Sequence, residues 1–151
     1  MIRRPPPGAR FLHAGTVMII LSGLLSALMA VPGLFQGRNM DRLAIEEGIH
    51  PILPYGRTPL FISLFVLSIL VMATGWFVYK QFSALEKSQL MLIILIVCGM
   101  VVFAYRQIIY RMYEGYLHNG LILIILLGIL LAGFGAFRNW QEYKELRNIQ
   151  P

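Results

Sequence analysis

Four apolar runs, each about as long as a bilayer is thick, dominate this sequence of 151 residues. A helix that crosses a hydrocarbon core about 30 Å thick needs about 20 mostly apolar residues. The runs are bounded by turn and breaker signals, and they predict helices at about 11–31, 59–80, 84–115 and 120–138. We therefore expect one domain, residues 1–151, that is an all-α membrane protein with four transmembrane helices in an up-down bundle.

The composition agrees with a bilayer as the solvent of this chain. Hydrophobic residues make up 58% and charged residues only 13%, whereas a soluble domain is typically about 25% charged. The net charge of +6 is spread over short connections and ends, which is typical of topology signals and headgroup contacts. The expected partners are therefore membrane lipids and other integral membrane subunits, and no nucleic acid.

The first connection is predicted to be an outer loop over 34–58, because the Pro-Gly pair at 32–33 is a helix stop. Asn39 is suited to cap a short helix over 40–47, which would lie on the membrane surface as an interfacial helix. The prolines that follow each restrict the residue before them, so the rest of the loop is expected to be extended.

Local signals also predict where the later helices begin. Thr58 can cap helix 2, with Pro59 at the first helical position. The run Ser-Ala-Leu-Glu at 83–86 is typical of a capping box, so helix 3 is expected to begin near Ala84. Beyond residue 138, the tail is expected to continue as a helix for a few turns.

The distribution of cations favours a multi-pass protein with both termini on the cytoplasmic side. With that orientation, eight Lys and Arg residues lie on the inner face and five arginines on the outer face. An excess of Lys and Arg on the cytoplasmic side is the usual topology signal.

Small residues at four-residue spacing form stripes on the first and last helices. Such stripes let a second helix approach closely in a membrane. The helix-packing candidates are Ser22, Gly23, Ser26, Ala27 and Ala30 in helix 1, and Gly128, Ala132 and Ala136 in helix 4.

The polar end of helix 3, RQIIYRMYEGYLH at 106–118, is the least apolar part of the predicted spans. On a helix its side chains sort into stripes: Gln107, Arg111, Glu114 and His118 on one, Arg106, Tyr110 and Tyr113 beside it, and Tyr116 opposite. Three interpretations remain open: an interfacial anchor, a docking surface, or a ligand or lipid-headgroup site with Arg106 or Arg111 as the anion clamp. In the third, the 34–58 loop would cover the site and add His50, Tyr55 and Arg57 as further contact candidates.

No cofactor is identifiable from the sequence. No two histidines are expected at similar depth, as a bis-histidine haem would need, and no acidic residue or lysine falls within an apolar span, which argues against an ion pathway. No Cys and His spacing predicts a metal site, and Cys98 is expected to be a small packing residue. A lipid or an apolar cofactor held between the helices by shape alone would leave no motif.

Two short stretches resemble known families. The run RMYEGYL at 111–117 is similar to a stretch that closes the third helix in the membrane-associated eicosanoid and glutathione metabolism family. That resemblance implies that Arg111, Tyr113 and Tyr116 contact substrate or glutathione in a trimer, although helix 2 begins PLFISLF and lacks the family's Asn and Glu. The opening ARFLHAG resembles the start of small four-helix polyprenyl-sugar flippases.

These features together predict a non-catalytic accessory or scaffold subunit of a larger multi-subunit integral membrane complex, rather than an enzyme. One alternative is a small membrane enzyme of lipid or glutathione and thioether metabolism that uses the polar end of helix 3. A second alternative is a lipid or glycolipid transporter subunit.

Overall fold

The computed structural model of the protein describes residues 5–46, 57–112 and 119–149. Within these ranges the chain is almost wholly helical, and four α-helices are long and apolar enough to cross a membrane. The helices are α1 (Ala9–Glu46), α2 (Thr58–Gln81), α3 (Ser88–Met112) and α4 (Asn119–Ile149), and a 3-10 turn at Leu85–Lys87 precedes α3. These features are those of a helical, multi-pass membrane protein.

The first helix is much longer than its apolar run predicts. α1 does not end at Pro32 but continues through it to Glu46. The predicted outer loop over 34–58 is therefore helical in its first part, and the predicted interfacial helix over 40–47 is, as far as Glu46, the last part of α1. The 38 residues of α1 correspond to about 57 Å of helix, nearly twice the thickness of a hydrocarbon core.

Contacts with α2 explain why α1 passes the proline. A proline inside a helix removes one backbone hydrogen bond, and neighbouring helices offset this loss in membrane proteins. Beyond Pro32, Gly33 lies against the ring of Phe61 and Gly37 against Arg57. The local stop signal is thus overridden by packing of the α1 extension on the start of α2.

α1 and α4 make the closest helix contact in the described part of the bundle. Gly15 of α1 and Gly8, just before α1, lie against the backbone of α4, and Gly135 of α4 lies against the backbone of α1. A Cβ atom on Gly135 would be 2.5 Å from the amide nitrogen of Leu12, so only hydrogen fits there. The two helices run in opposite directions, since the beginning of α1 meets the second half of α4.

A buried polar side chain closes one end of this contact. Asn139 is 0% exposed, and its Oδ1 accepts a hydrogen bond of 2.8 Å from the backbone N–H of Gly8. The amide of Gly8 precedes α1 and has no partner within a helix, so α4 supplies the acceptor that the start of α1 needs.

α2 and α3 complete the core. α1 packs along α2 in the opposite direction, with Gly75 against Ile19 and Gly37 against Arg57. α3 packs mainly against α4 and less against α2, where Ser63 and Tyr105 share a hydrogen bond of 3.1 Å. The core between the helices contains buried aliphatic side chains: Leu12, Ile19, Leu67, Val71, Val78, Met91, Leu95, Val102, Ile122, Ile125 and Ile129.

The predicted start of helix 4 agrees with the structure, whereas that of helix 3 is several residues too early for its α-helical part. The α-helical part of helix 3 begins at Ser88 and not near Ala84, because the residues between form the 3-10 turn and the Ser88 hydroxyl donates to the Leu85 carbonyl at 2.6 Å. Ala84, not Ser83, caps that turn, without a side-chain hydrogen bond, so the predicted capping box is wrong. α4 begins at Asn119, next to the predicted start, and continues past residue 138 to Ile149.

The bundle has two ends, which we name by one residue each. At the Arg57 end, α1 and α3 end while α2 and α4 begin. At the Asn139 end, α1 begins, α2 ends, and α4 extends beyond the core. Lysine ammonium groups lie over tryptophan rings at the Asn139 end, Lys80 over Trp76 and Lys144 over Trp140, an arrangement typical of a membrane–water interface.

Candidate functional site

A cavity opens at the Arg57 end of the bundle, between α1, α2 and α4. It has a volume of about 320 Å³, which is at the lower end of the range of about 300–1,000 Å³ for small-molecule sites. α1 and α2 provide most of its wall, and the first turns of α4 close the third side. The lining residues are Ser26, Met29, Pro32, Gly33, Gln36 and Gly37 from α1, Arg57 before α2, Leu60, Phe61, Leu64, Leu67 and Ser68 from α2, and Leu121, Ile122 and Ile125 from α4.

The cavity is apolar in depth and polar at its mouth. Along α1 it extends from Ser26 to Gly37, eleven residues apart, which is about 16 Å of helix. The Ser68 hydroxyl on the deep side is satisfied within α2, because it donates to the Leu64 carbonyl at 2.7 Å. Arg57 and Gln36 stand at the opposite, outer end. The cavity therefore combines hydrocarbon-like walls with a cationic rim.

Asp41 fixes the geometry of this mouth. Its carboxylate accepts hydrogen bonds from the backbone N–H groups of Arg57 (3.0 Å) and Thr58 (3.3 Å), and from the Thr58 hydroxyl at 3.1 Å. A carboxylate at a helix N-terminus satisfies free N–H groups and interacts favourably with the helix dipole. The predicted cap of α2, Thr58, is thus itself bound by α1, and an acid from α1 takes the capping role.

The Asp41 carboxylate is engaged by backbone amides and by the Thr58 hydroxyl, and not by the Arg57 guanidinium. Within the described ranges, no carboxylate lies within 4 Å of the Arg57 guanidinium, and the ion pair found there joins Arg42 to Glu46 at 3.3 Å on the surface. Arg57 is half-buried at the cavity mouth.

The predicted contact candidates that fall within the described residues do not lie in one place. Arg57 lines the cavity, whereas Gln107, Tyr110 and Arg111 are exposed on α3 and do not line it. Arg106 is half-buried, and its Nε atom is buried without a hydrogen-bond partner among the described residues. The other contact candidates lie outside the described residues: His50, Tyr55, Tyr113, Glu114, Tyr116 and His118.

The small-residue stripes lie inside the bundle. All eight helix-packing candidates are buried: Ser22, Gly23, Ser26, Ala27, Ala30, Gly128, Ala132 and Ala136. Gly23 faces Ser68 and Met72 of α2, while Gly128 faces Gly15 of α1. Ser26 belongs both to the stripe and to the cavity wall.

Sequence reasoning missed the tightest contact and the cavity. Gly8 and Gly15 are seven residues apart, as are Gly128 and Gly135, and these four glycines form the α1–α4 contact. A search for small residues at seven-residue spacing, and not only at four, would have found them. The cavity has no comparable signal, because its walls come from three separate segments.

The described residues contain no group of three or more His, Cys, Asp or Glu side chains that could hold a metal ion. Comparisons of the chain with protein-family models, curated proteins and solved structures find no match. The functional argument therefore rests on the geometry and chemistry of the cavity.

Proposed function

We propose that this chain is a non-catalytic, lipid-binding subunit of a larger integral membrane complex. The cavity carries the proposal: it is hydrocarbon-like for about 16 Å along α1, ends in an arginine, and opens among helices that are themselves long and apolar enough to span a bilayer. The described residues of its wall include no carboxylate, histidine or cysteine, and a general base or nucleophile pair normally draws on such groups. Binding is thus favoured over catalysis.

In this proposal the four helices form an up-down bundle with both termini on the cytoplasmic side. The opposite directions of α1 against α2 and of α1 against α4 support the up-down arrangement. The excess of Lys and Arg toward the Asn139 end supports the sidedness. The cavity would then open toward the outer face of the membrane.

The end of α1 supports membership of a complex. Gly37 is level with Arg57, so the nine residues from there to Glu46 extend about 14 Å beyond the start of α2. This extension exposes apolar side chains, among them Met40 at 52% and Ile45 at 73%. Apolar side chains beyond the hydrocarbon are stabilised by a partner that covers them.

The second candidate is a lipid or glycolipid transporter subunit, and Pro32 is the observation that favours it. The proline lies in the α1 wall of the cavity, where the missing backbone hydrogen bond makes a kink or bend of α1 easier. An enzyme that uses the polar end of helix 3 is less favoured, because Gln107, Tyr110 and Arg111 lie apart from the cavity.

A matched pair of substitutions tests lipid binding. Met29 lines the cavity. Its neighbour Leu28, at nearly the same level along α1, is 60% exposed on the surface of the bundle. Met29→Trp should fill the cavity, and Leu28→Trp should leave it open. After purification in mild detergent, native mass spectrometry should detect bound lipid on the wild-type chain and on Leu28→Trp, but not on Met29→Trp.

Equal lipid retention by Met29→Trp and wild type would contradict the cavity as the binding site. The same preparation tests the assembly, because a subunit should co-purify with other integral membrane chains. A homo-oligomer that is isolated alone and binds glutathione would instead support the enzyme alternative.

A further inference from the structure

We propose that the ligand of the cavity is an anionic lipid, with one hydrocarbon chain inside the cavity and its phosphate or carboxylate bound by the Arg57 guanidinium. This inference rests on the proposed lipid-binding function and specifies the class of lipid. Three properties of the site carry it: the size of the cavity, the charge at its mouth, and the state of the nearby acid.

The size of the cavity limits its occupant to one chain. The volume of about 320 Å³ is at the lower end of the range for small-molecule sites. The depth from Ser26 to Gly37 is nevertheless several helical turns. A single extended hydrocarbon chain fits a space that is long, narrow and apolar.

The charge at the mouth selects the headgroup. Among the described residues that line the cavity, Arg57 is the one with a charged side chain. The neighbouring acid Asp41 is engaged by the amides at the start of α2. A cation at the mouth favours an anionic headgroup, and a cationic headgroup would be repelled.

Arg57 is the cation placed to bind that headgroup. Its backbone is fixed by Asp41 and by the close contact of Gly37 with its Cβ atom, while its side chain lines the cavity. A guanidinium can donate two parallel hydrogen bonds to a phosphate or carboxylate. Gln36, also at the mouth, can donate a further hydrogen bond from its amide group.

The test compares lipids that share one chain and differ only in the head. The protein in a neutral detergent is titrated with three lipids: the anionic oleoyl lysophosphatidic acid, the zwitterionic oleoyl lysophosphatidylcholine and the uncharged monooleoylglycerol. The affinity for each lipid is measured from the shift in the thermal unfolding temperature of the protein. We expect the anionic lipid to bind at least about tenfold more tightly than the uncharged one, as one charged hydrogen-bonding pair predicts. Inorganic phosphate, added alone, should cause no comparable shift.

Two arginine variants assign the preference to the cavity mouth. Arg57→Gln should remove the preference for the anionic lipid while leaving the binding of monooleoylglycerol unchanged. Arg38→Gln removes the same charge from an exposed residue at the same end that does not line the cavity, and it should keep the preference. Arg57→Lys should keep part of it, because the charge stays but the paired donors are lost.

The outcomes separate this inference from the proposed function. Equal affinity for anionic and uncharged lipids, or a preference that survives in Arg57→Gln, would overturn the inference and leave lipid binding in place. A thermal shift with inorganic phosphate as large as that with the lipid would also overturn the inference. The hydrocarbon chain of the lipid would then contribute nothing to binding. If no lipid binds, or if Met29→Trp binds lipid as wild type does, the proposed function fails as well.

Discussion

Replacing Gly135 with alanine tests whether the α1–α4 backbone contact holds the bundle together. The new Cβ atom would lie 2.5 Å from the amide nitrogen of Leu12 and 2.7 Å from the carbonyl oxygen of Gly8. Both are backbone atoms, at and just before the start of α1, so no side chain can turn away. Ordinary contact begins at 3.4 Å, and α1 and α4 must therefore separate locally by about 0.9 Å, the difference between 3.4 and 2.5 Å.

The energetic cost follows from the contacts that this separation weakens. Leu12 is 0% exposed, and a buried leucine makes about 40–60 atomic contacts of about 0.1–0.2 kcal/mol each. If about half of these cross to α4 and lose a quarter to a half of their energy, the loss is about 0.5–3 kcal/mol. Alanine regains up to about 1 kcal/mol of helix propensity, which partly offsets the loss.

Gly133 provides the matched control, because a Cβ atom there would have nothing within 4 Å. Gly133→Ala gains the same helix propensity without the collision, so the difference between the two variants isolates the packing term. Unfolding in mixed mild detergent and dodecyl sulfate, followed by circular dichroism, measures both. We expect Gly135→Ala to be less stable than Gly133→Ala by about 1.5 kcal/mol. Equal stability of the two variants would refute the close contact.

Two further substitutions test the polar ties between helices. Asp41→Ala should lower the free energy of unfolding by about 1–2 kcal/mol and speed hydrogen exchange at the first amides of α2, since these lose their cap; unchanged exchange at those amides would refute the role of Asp41. Asn139→Ala should cost about 1–3 kcal/mol in the same detergent titration, because the Gly8 amide is left buried without an acceptor. Asn148→Ala, at an exposed position on the same helix, should stay within about 0.5 kcal/mol of wild type, and a loss as large as that of Asn139→Ala would count against the assignment.

The number and type of the helices could be predicted because hydrophobic length alone determines them in a bilayer. The end of α1 could not. Pro32 and Gly33 are strong local stop signals, but their effect depends on what packs against the following turns. In this fold Phe61 of α2 packs on Gly33, and Asp41 of α1 binds the start of α2. No local sequence pattern reports such contacts.

The site was only partly predictable for a related reason. Arg57 is among the sequence candidates because the 34–58 loop is expected to cover the polar end of helix 3, whose arginines carry the stronger sequence pattern. Arg111 is exposed and Arg57 lines the cavity. What separates them is the spatial arrangement of α1, α2 and α4, and the capping of α2 by Asp41. Both features depend on the tertiary structure and leave no local pattern in the sequence.

The contact between the first and last helices has a consequence for biosynthesis. Gly8 and its acceptor Asn139 are 131 residues apart, and a ribosome adding about 5–20 residues per second needs roughly 7–26 seconds to make that interval. During this time α1 is in the membrane without the helix that covers its glycine face. The contact can close only after α4 has been synthesised, so a chain truncated before α4 would present an uncovered glycine surface to membrane quality control.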